Sequence, residues 1–192
     1  MLGDAGRAAA ARALGDAFAD DPVMGWIGGF DESARRMTLA MESAITRRFR
    51  RGTPLVFTTE GHTANAIWDA PDDRRPNGGE LLRTAVPMAR AFRFGIGRMN
   101  QLMAVTLPNH PDEPHYYLFA IGVQRTHQGR GLGSILMQPM LDRCDDEGFG
   151  AYLENSKPRN ETFYVRLGFE PLAPLPVPAG CPPLTPMWRR PR

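Results

Sequence analysis

A glycine-rich run between a predicted strand and a predicted helix constrains this chain more than any other feature of its sequence. The run, QGRGLGS at 128–134, begins five residues after an apolar strand pattern at 115–123, and a helical pattern at 131–147 overlaps its end. Successive glycines let backbone N–H groups converge on one point, where a helix N-terminus adds the positive end of its dipole. The run therefore predicts a loop that binds a phosphate or pyrophosphate, although the same glycines also suit a simple helix-starting turn.

Three kinds of phosphate-binding loop compete for this run. A P-loop requires a lysine after its last glycine, and none follows here, which excludes it. A dinucleotide-binding loop has G-x-G-x-x-G directly after its strand and an acidic residue about 20 positions later. Gly129 and Gly131 fit that pattern, and Glu154 ends the next predicted strand. However, Ser134 replaces the third glycine, and the run begins too far beyond Val123. The remaining kind binds the pyrophosphate of acyl-coenzyme A.

Helical and strand patterns alternate along the rest of the chain. Helices are predicted at 4–19, 32–50, 80–103, 131–147 and 160–167, and strands at 54–59, 64–68, 115–123, 149–153 and 184–189. A loop or short turn is expected at 23–30. The alternation predicts an α/β fold (α+β by some schemes) with one mixed sheet, and 192 residues suit a single domain.

Composition excludes several classes of protein. A net charge of +2 argues against electrostatic capture of nucleic acid, and no apolar stretch is long enough to span a membrane. The two cysteines and four histidines lack metal-ligand spacing, so no metal site is expected. The start of the chain lacks the apolar region of a signal peptide, which predicts a cytoplasmic protein. Of the 23 basic residues only Lys157 is a lysine, which is typical of a GC-rich bacterial genome.

Two blocks of sequence resemble the motifs of the GNAT superfamily of N-acetyltransferases. Val123-x-x-x-x-Gln128-x-x-Gly131-x-Gly133 is similar to its coenzyme A motif, Q/R-x-x-G-x-G/A after a strand. Asn160-x-x-x-Tyr164-x-x-x-Gly168-Phe169 resembles its second block, which ends in Tyr-x-x-x-Gly-Phe. The blocks stand in the family's order. The segments at 17–22, 66–71 and 152–160 are also similar to the puromycin N-acetyltransferases and their actinobacterial relatives within that superfamily.

The resemblance implies a GNAT-like fold, with a mixed, mostly antiparallel central sheet and helices on both faces. It divides the single domain, 1–192, into acceptor-side helices and a hairpin at 1–114, an acetyl-CoA-binding core at 115–170, and a Pro-rich C-terminal segment with the last strand at 171–192. GNAT domains usually begin with a strand before the first helix. This chain begins at the helix, so either the sheet lacks that edge strand or the sequence begins late.

The resemblance also implies that acetyl-CoA is the co-substrate and that its binding residues lie in three places. The backbone of a splayed strand end would bind the pantetheine, and the Val123 N–H would donate to the acetyl oxygen in an oxyanion-type contact. The glycine-rich loop would hold the pyrophosphate, and Asn160 would either bond the pantetheine or cap its own helix. The cofactor-binding residues are therefore Ile121, Gly122, Val123, Gln128, Gly129, Arg130, Gly131, Leu132, Gly133, Ser134 and Asn160. Gly122 in that strand predicts either a bulge or a close backbone approach.

Two residues are expected to carry the chemistry. Glu154, at the end of the strand after the loop, would take the proton of the amine, directly or through water. Tyr164 would protonate the departing thiolate, because phenol and thiol pKa values of about 10 and about 8.5 are close enough for transfer. A solvated strand-end glutamate and a half-buried aromatic residue are the structural alternatives.

The acceptor is the least determined part of the prediction. A small-molecule amine is favoured, with Trp26 and Trp68 stacking an aromatic or nucleoside-like group, although both tryptophans also suit a core. Asp20, Asp21 and Asp69 would attract a cation or cap helices, and His115 and His127 are expected at the surface. The alternatives are a protein N-terminal or lysine acetyltransferase, a non-catalytic acyl-CoA-binding module, and a nicotinamide-dinucleotide binder. GNAT proteins are often dimers, so a homodimer is one candidate assembly.

Overall fold

The computed structural model describes residues 2–30, 33–52, 54–71 and 95–192. In chain order the helices of these ranges are α1 (Asp4–Ala17), α2 (Pro22–Gly28), α3 (Ser33–Arg50), α4 (Ile96–Thr106), α5 (Leu132–Glu147) and α6 (Glu161–Arg166). The strands are β1 (Leu55–Thr58), β2 (Ala64–Asp69), β3 (His115–Val123), β4 (Gly150–Asn155), β5 (Glu170–Pro171) and β6 (Thr185–Arg189). Single 3₁₀ turns lie at Glu60–His62, Leu107–Asn109, Arg125–His127 and Pro158–Asn160.

The six strands form one mixed sheet in the order β1-β2-β3-β4-β6-β5. All neighbouring pairs are antiparallel except β3 and β4, which run parallel. The predicted fold class, a mixed and mostly antiparallel sheet with helices, is therefore confirmed. Among the described residues the first element is α1, and β1 lies at one edge of the sheet.

The helices cover both faces of the sheet because β1, β2 and β3 present apolar residues to two cores. On one face, α1 and α3 pack against residues such as Ile67 and Ala120. On the other face, α5 packs against Ala66, Leu118 and Leu153. None of the described helices is long and apolar enough to cross a membrane.

The segment at 23–30 was expected as a loop, and this prediction is wrong. Pro22 occupies the first turn of a real helix, α2, and the Asp21 carboxylate accepts hydrogen bonds from Val23 N and Met24 N at 3.0 Å each. The proline supplies a helical φ, and the aspartate satisfies two N–H groups that a short helix leaves unpaired. Pro22 and the Asp21 cap thus stabilise the helix more than the glycines of the segment destabilise it.

The predicted helix at 80–103 lies in large part outside the described residues, as does most of the loop expected at 69–79. Its described end is α4, which begins after Gly95. A Cβ at Gly95 would lie 2.1 Å from the carbonyl oxygen of Ile27, so glycine allows α4 to start against α2. The helix after the glycine-rich run, α5, ends at Gly148 in the left-handed conformation, as its sequence predicts.

Candidate active site

The two parallel strands of the sheet separate halfway along their length. β3 and β4 pair only from His115 opposite Gly150 to Tyr117 opposite Tyr152, although both strands continue beyond that point. The gap that opens is a cleft of about 460 Å³, lined by the free ends of both strands, the glycine-rich loop and α6. Its volume lies in the range of small-molecule and cofactor sites.

The backbone of β3 turns hydrogen-bonding groups into this cleft. Gln124 N donates to the carbonyl oxygen of Thr63 at 2.8 Å, on the β2 side. The backbone N–H and C=O groups of a strand point to opposite sides at successive residues. Those of Gly122 therefore face β2, as those of Gln124 do, whereas those of Ile121 and Val123 face the separated β4. The side-chain amide of Gln128 donates to the Val123 carbonyl oxygen at 3.0 Å. The N–H groups of Ile121 and Val123 therefore point into the cleft.

Gly122 was expected at a bulge or at a close backbone approach, and only the second applies. The pairing register shifts where Ile67 faces Ala120 and Trp68 faces Leu118, so the extra residue of the bulge is Phe119. A Cβ at Gly122 would lie 2.7 Å from the Cβ of Ala17, on α1. The glycine therefore allows α1 to pack directly on β3 at the wall of the cleft.

The bulge at Phe119 is held by a buried ion pair. The Arg48 guanidinium lies 4.3 Å from the centre of the Phe119 ring and donates a 2.5 Å hydrogen bond to Asp69 Oδ2. Arg48 and Asp69 side chains are 2% and 8% exposed. Asp69, one of the three aspartates considered for attracting a cation, thus already has a cationic partner.

The glycine-rich loop forms the opposite end of the cleft. Gly129 and Gly131 both have φ of +76°, a conformation that glycine adopts without strain. Gly131 directly precedes α5, so the unpaired N–H groups of the first turn of that helix lie at the loop. The cleft is lined by Gln128, Gly129, Gly131, Leu132, Gly133 and Ser134. Arg130 lies outside this lining, with its guanidinium 3.4 Å from the carbonyl oxygen of Thr126.

Glu154 lies just beyond the point where the two strands separate. Its Oε2 accepts a 2.7 Å hydrogen bond from the Tyr117 hydroxyl, and its Oε1 lies 3.0 Å from His110 Nε2. The Glu154 side chain is only 9% exposed. Burial, together with the charge of Glu154, raises the pKa of Tyr117 well above its usual value. Tyr117 therefore remains a neutral donor, and Glu154 is a nearly buried carboxylate on the cleft wall rather than a solvated one.

Tyr164 and Asn160 enter the cleft from the other side. Tyr164, on α6, is 6% exposed, and burial followed by the nearby charge of Asp21 raises its pKa above the usual phenol value. The phenol therefore holds its proton at neutral pH, as a proton donor must. Asn160 lines the cleft and is also the N-cap residue of α6, although its side chain makes no capping hydrogen bond.

Sequence reasoning missed the connections between the end of α1 and the end of β4. Asp21 is fully buried and accepts a 2.5 Å hydrogen bond from the Ser156 hydroxyl. Lys157 Nζ lies 2.6 Å from Asp20 Oδ1 and 3.0 Å from the carbonyl oxygen of Ala17. These contacts tie the acceptor-side helices to the cleft. The sequence signal for these contacts is the pair of aspartates before Pro22, because each aspartate binds a residue at 156–157.

The two tryptophans and His115 do not reach the cleft. Trp68 is 1% exposed and packs in the core beneath α5, while Trp26 lies with the Arg98 guanidinium 5.5 Å from its ring centre. Neither tryptophan lines the cleft. His115 was expected at the surface, but it is fully buried, because its ring packs against Tyr152 and Trp188. His127 lines the cleft.

Comparisons with known proteins agree with this geometry. Residues 94–169 match the model of the acetyltransferase (GNAT) family. An uncharacterized N-acetyltransferase of Schizosaccharomyces pombe is 28% identical over 173 residues, which cover 83% of this chain and 69% of that protein. A crystal structure from Corynebacterium glutamicum, described as histone acetyltransferase HPA2 and related acetyltransferase, is 26% identical with a TM-score of 0.66. That match covers 95% of this chain and 89% of the other.

A more distant structure supports the fold alone. The N-acetyltransferase from Staphylococcus aureus Mu50 is 14% identical, with a TM-score of 0.58, and the match covers 97% of both chains. The matched family segment spans α4, β3, the loop, α5, β4 and α6, which contain the cleft and nearly all of its lining.

Proposed function

We propose that this protein is an N-acetyltransferase whose acceptor is the primary amine of a small molecule, because residues 94–169 match the model of the GNAT acetyltransferase family and the chain around them has a GNAT-like fold. The family uses acetyl-CoA as its co-substrate. One observation carries the proposal: a nearly buried carboxylate, Glu154, lies in the same cleft as a loop suited to pyrophosphate. A base for the amine and a binding site for the acetyl donor are thus brought together.

The cofactor-binding residues form two surfaces, and each surface binds a different part of acetyl-CoA. The pyrophosphate binds the N–H groups of the loop and of the first turn of α5, which favour negative charge. The pantetheine arm runs between the separated strands and bonds the backbone of 121–123, with Asn160 on the opposite wall. The Val123 N–H donates to the acetyl oxygen, where negative charge develops as the amine attacks.

Proton transfer occurs at both ends of the reacting group. Glu154 takes a proton from the acceptor ammonium, and the free amine attacks the thioester carbonyl. A carbon–nitrogen bond forms and the carbon–sulfur bond breaks. Tyr164 gives its proton to the departing thiolate and regains one that the new amide nitrogen loses. The raised pKa of Tyr164 keeps the phenol protonated until the thiolate forms, although it also makes the phenol a weaker acid toward sulfur than an ordinary tyrosine.

The burial of Glu154 supports a small acceptor. The Glu154 side chain is only 9% exposed, which favours a small acceptor amine that can reach a nearly buried carboxylate. A protein acceptor is the second candidate, because the Corynebacterium relative is described as a histone acetyltransferase.

Acetylation of two acceptor sets distinguishes the candidates. Purified protein with acetyl-CoA is tested against a panel of small amines, with release of free thiol as the readout. The same protein with labelled acetyl-CoA is tested against denatured and native lysate proteins. Turnover of small amines without labelled protein supports the proposal, whereas labelled protein without small-amine turnover supports the second candidate. Absence of both reactions, together with no binding of acetyl-CoA, would refute the proposal.

A further inference from the structure

His110 is the residue of the site that neither the motifs nor the family resemblance indicates. It follows the 3₁₀ turn Leu107–Asn109, before β3, and its Nε2 lies 3.0 Å from Glu154 Oε1. Its ring lies 4.8 Å from that of Tyr117 and 4.7 Å from that of Tyr152, measured between centres. The His110 side chain is 16% exposed, against 9% for Glu154. The imidazole therefore stands beside the carboxylate and is the more exposed of the two.

The proposed reaction creates a problem that Glu154 cannot solve alone. An ammonium acceptor loses two protons when it becomes an amide, and the departing thiolate takes one of them. The other reaches Glu154 and must leave before the next turnover. Glu154 Oε1 is buried and has no aligned hydrogen-bond donor among the described residues. A carboxyl group in this position needs a neighbour that accepts its proton.

The other groups around His110 do not accept that proton. Tyr117 donates to Glu154 already, and burial raises the pKa of both Tyr117 and Tyr152 above the usual phenol value. Both phenols therefore remain neutral. His115, on β3, is fully buried, and its Nδ1 lies 2.6 Å from the carbonyl oxygen of Glu113.

Two charged groups beyond the Tyr117 ring, Asp69 and Arg48, form an ion pair with each other. Asp69 of β2 raises the pKa of Tyr117, and the Arg48 guanidinium of α3 is its ion-pair partner. Glu154 is thus the carboxylate that faces His110 directly. An imidazole ordinarily changes charge near neutral pH, which suits a group that accepts a proton and then releases it to water.

We propose that His110 acts through Glu154, by receiving at Nε2 the proton that Glu154 takes from the acceptor and passing it to solvent. The transfer returns Glu154 to the carboxylate form, and one proton leaves for each amide formed. His110 touches neither the acetyl group nor the acceptor and is a positioning residue. The inference rests on the proposed function of Glu154.

Removal of the imidazole tests the relay in the active enzyme. In His110→Ala we expect kcat to fall about 10-fold to 100-fold, below the loss of up to about 10⁴ that removal of a direct acid or base causes. The KM for acetyl-CoA should stay within 2-fold of wild type, because His110 does not line the cleft. The pH dependence of kcat should also change, because the variant lacks the group that removes the proton from Glu154. His62→Ala, a histidine outside the cleft, is the matched control and should behave as wild type.

Chemical rescue separates a relay from a structural role. Free imidazole should restore most of the lost kcat of His110→Ala in a saturable manner, and the efficiency of substituted imidazoles should follow their pKa values. Glu154→Gln should not be rescued. A loss in His110→Ala with an unchanged pH profile and no rescue would overturn the relay, as would full activity of the variant.

NMR spectra of the histidine rings test the contact without turnover. In Glu154→Gln, the ring signals of His110 should shift relative to wild type, because the carboxylate 3.0 Å from Nε2 is lost. The ring signals of His62 should stay the same. An unchanged His110 would show that the two groups are not coupled and would overturn the inference. If wild type acetylates no amine, the proposed function fails, whereas an active wild type with a fully active His110→Ala refutes the relay alone.

Discussion

The Tyr117 hydroxyl donates a 2.7 Å hydrogen bond to Glu154 Oε2 just where β3 and β4 stop pairing. The preceding residue, Tyr116, points to the opposite face of the sheet and donates a 2.5 Å hydrogen bond to Glu147. Two adjacent tyrosines thus bind two carboxylates, but only Glu154 lines the cleft. The Tyr116–Glu147 pair on the far face therefore provides a control for the role proposed for the Tyr117–Glu154 pair.

Replacement of Glu154 by glutamine removes the proposed base while retaining the size of the side chain. We expect kcat to fall about 10²-fold to 10⁴-fold, the range for loss of a general base. The affinity for acetyl-CoA should hardly change, because the donor binds at the loop and the β3 backbone. Steady-state thiol release and calorimetric titration with acetyl-CoA measure the two quantities.

Glu147→Gln is the matched control for that experiment. It also loses a carboxylate that accepts a tyrosine hydrogen bond, yet it lies at the end of α5, on the far face of the sheet. Its kcat should stay within 2-fold of wild type. Equal losses in Glu147→Gln and Glu154→Gln would contradict a specific role for Glu154.

Replacement of Tyr164 by phenylalanine tests the proposed acid. We expect kcat to fall about 10-fold to 100-fold, because water replaces a positioned proton donor. Tyr116→Phe is the control, since burial and the bond to Glu147 raise the pKa of this second buried phenol to about 12. Activity of Tyr164→Phe at the level of Tyr116→Phe would exclude the phenol as the donor.

The pH dependence gives a second test of Tyr164. A phenol loses its proton as the pH rises through its pKa, and here burial moves the pKa above the usual value of about 10. Tyr164 therefore remains protonated over the whole ordinary assay range. In wild type, kcat should show no decrease from phenol ionisation below about pH 10. A decrease that is present in wild type and absent in Tyr164→Phe would contradict the raised pKa.

Gly122→Ala tests the close packing of α1 on the wall of the cleft. The new Cβ would lie 2.7 Å from the Cβ of Ala17 and 3.0 Å from Leu14 Cδ2. Overpacking of this kind lowers the free energy of unfolding by about 1–3 kcal/mol, as denaturant unfolding would measure. Gly97→Ala, in α4, is the control, because nothing lies within 4 Å of its Cβ position. That change should be neutral or stabilise by up to about 1 kcal/mol, and equal destabilisation would contradict the packing argument.

The conformation of the glycine-rich loop could be predicted because its information is local. A glycine that needs a positive φ, such as Gly131, and the spacing from it to a helix are visible in a short window of sequence. The contact of His110 with Glu154 could not be predicted, because it joins a loop to a strand end and has no periodicity. The role of Phe119 as the bulged residue depends on the register between β2 and β3, which neither strand encodes alone.

The acceptor side was harder to predict because α2 is short and depends on capping. α2 forms because Asp21 caps it, and Asp21 is itself held by Ser156, at the far end of β4. The apolar pattern of 23–30 gives no sign of that tertiary contact. The tryptophans were assigned to an acceptor pocket from residue type alone, which does not distinguish a pocket wall from a core position such as that of Trp68.

The ion pairs of Asp20 link α1 to the end of β4 and predict a specific acid sensitivity. Hydrogen bonds from Lys157, and then from Arg159, lower the pKa of Asp20 to about 2 from an ordinary value of 3.8. A lowered folded-state pKa stabilises the protein above the unfolded-state pKa, and this contribution is lost as the pH falls through the folded-state value. The window is therefore about pH 4 to about pH 2. Because the Asp20 side chain is 46% exposed, we expect a contribution below about 1 kcal/mol.

Asp20→Asn isolates this contribution from the other carboxylates that titrate in acid. Denaturant unfolding is measured at intervals from neutral pH to about pH 2, in wild type and in the variant. The difference in unfolding free energy should be constant above about pH 4 and shrink towards zero below it, because protonated Asp20 resembles asparagine. Asp146→Asn, at an exposed carboxylate of α5, should show no such convergence. A difference that persists to the lowest pH would mean that Asp20 stabilises the junction through packing rather than through its charge.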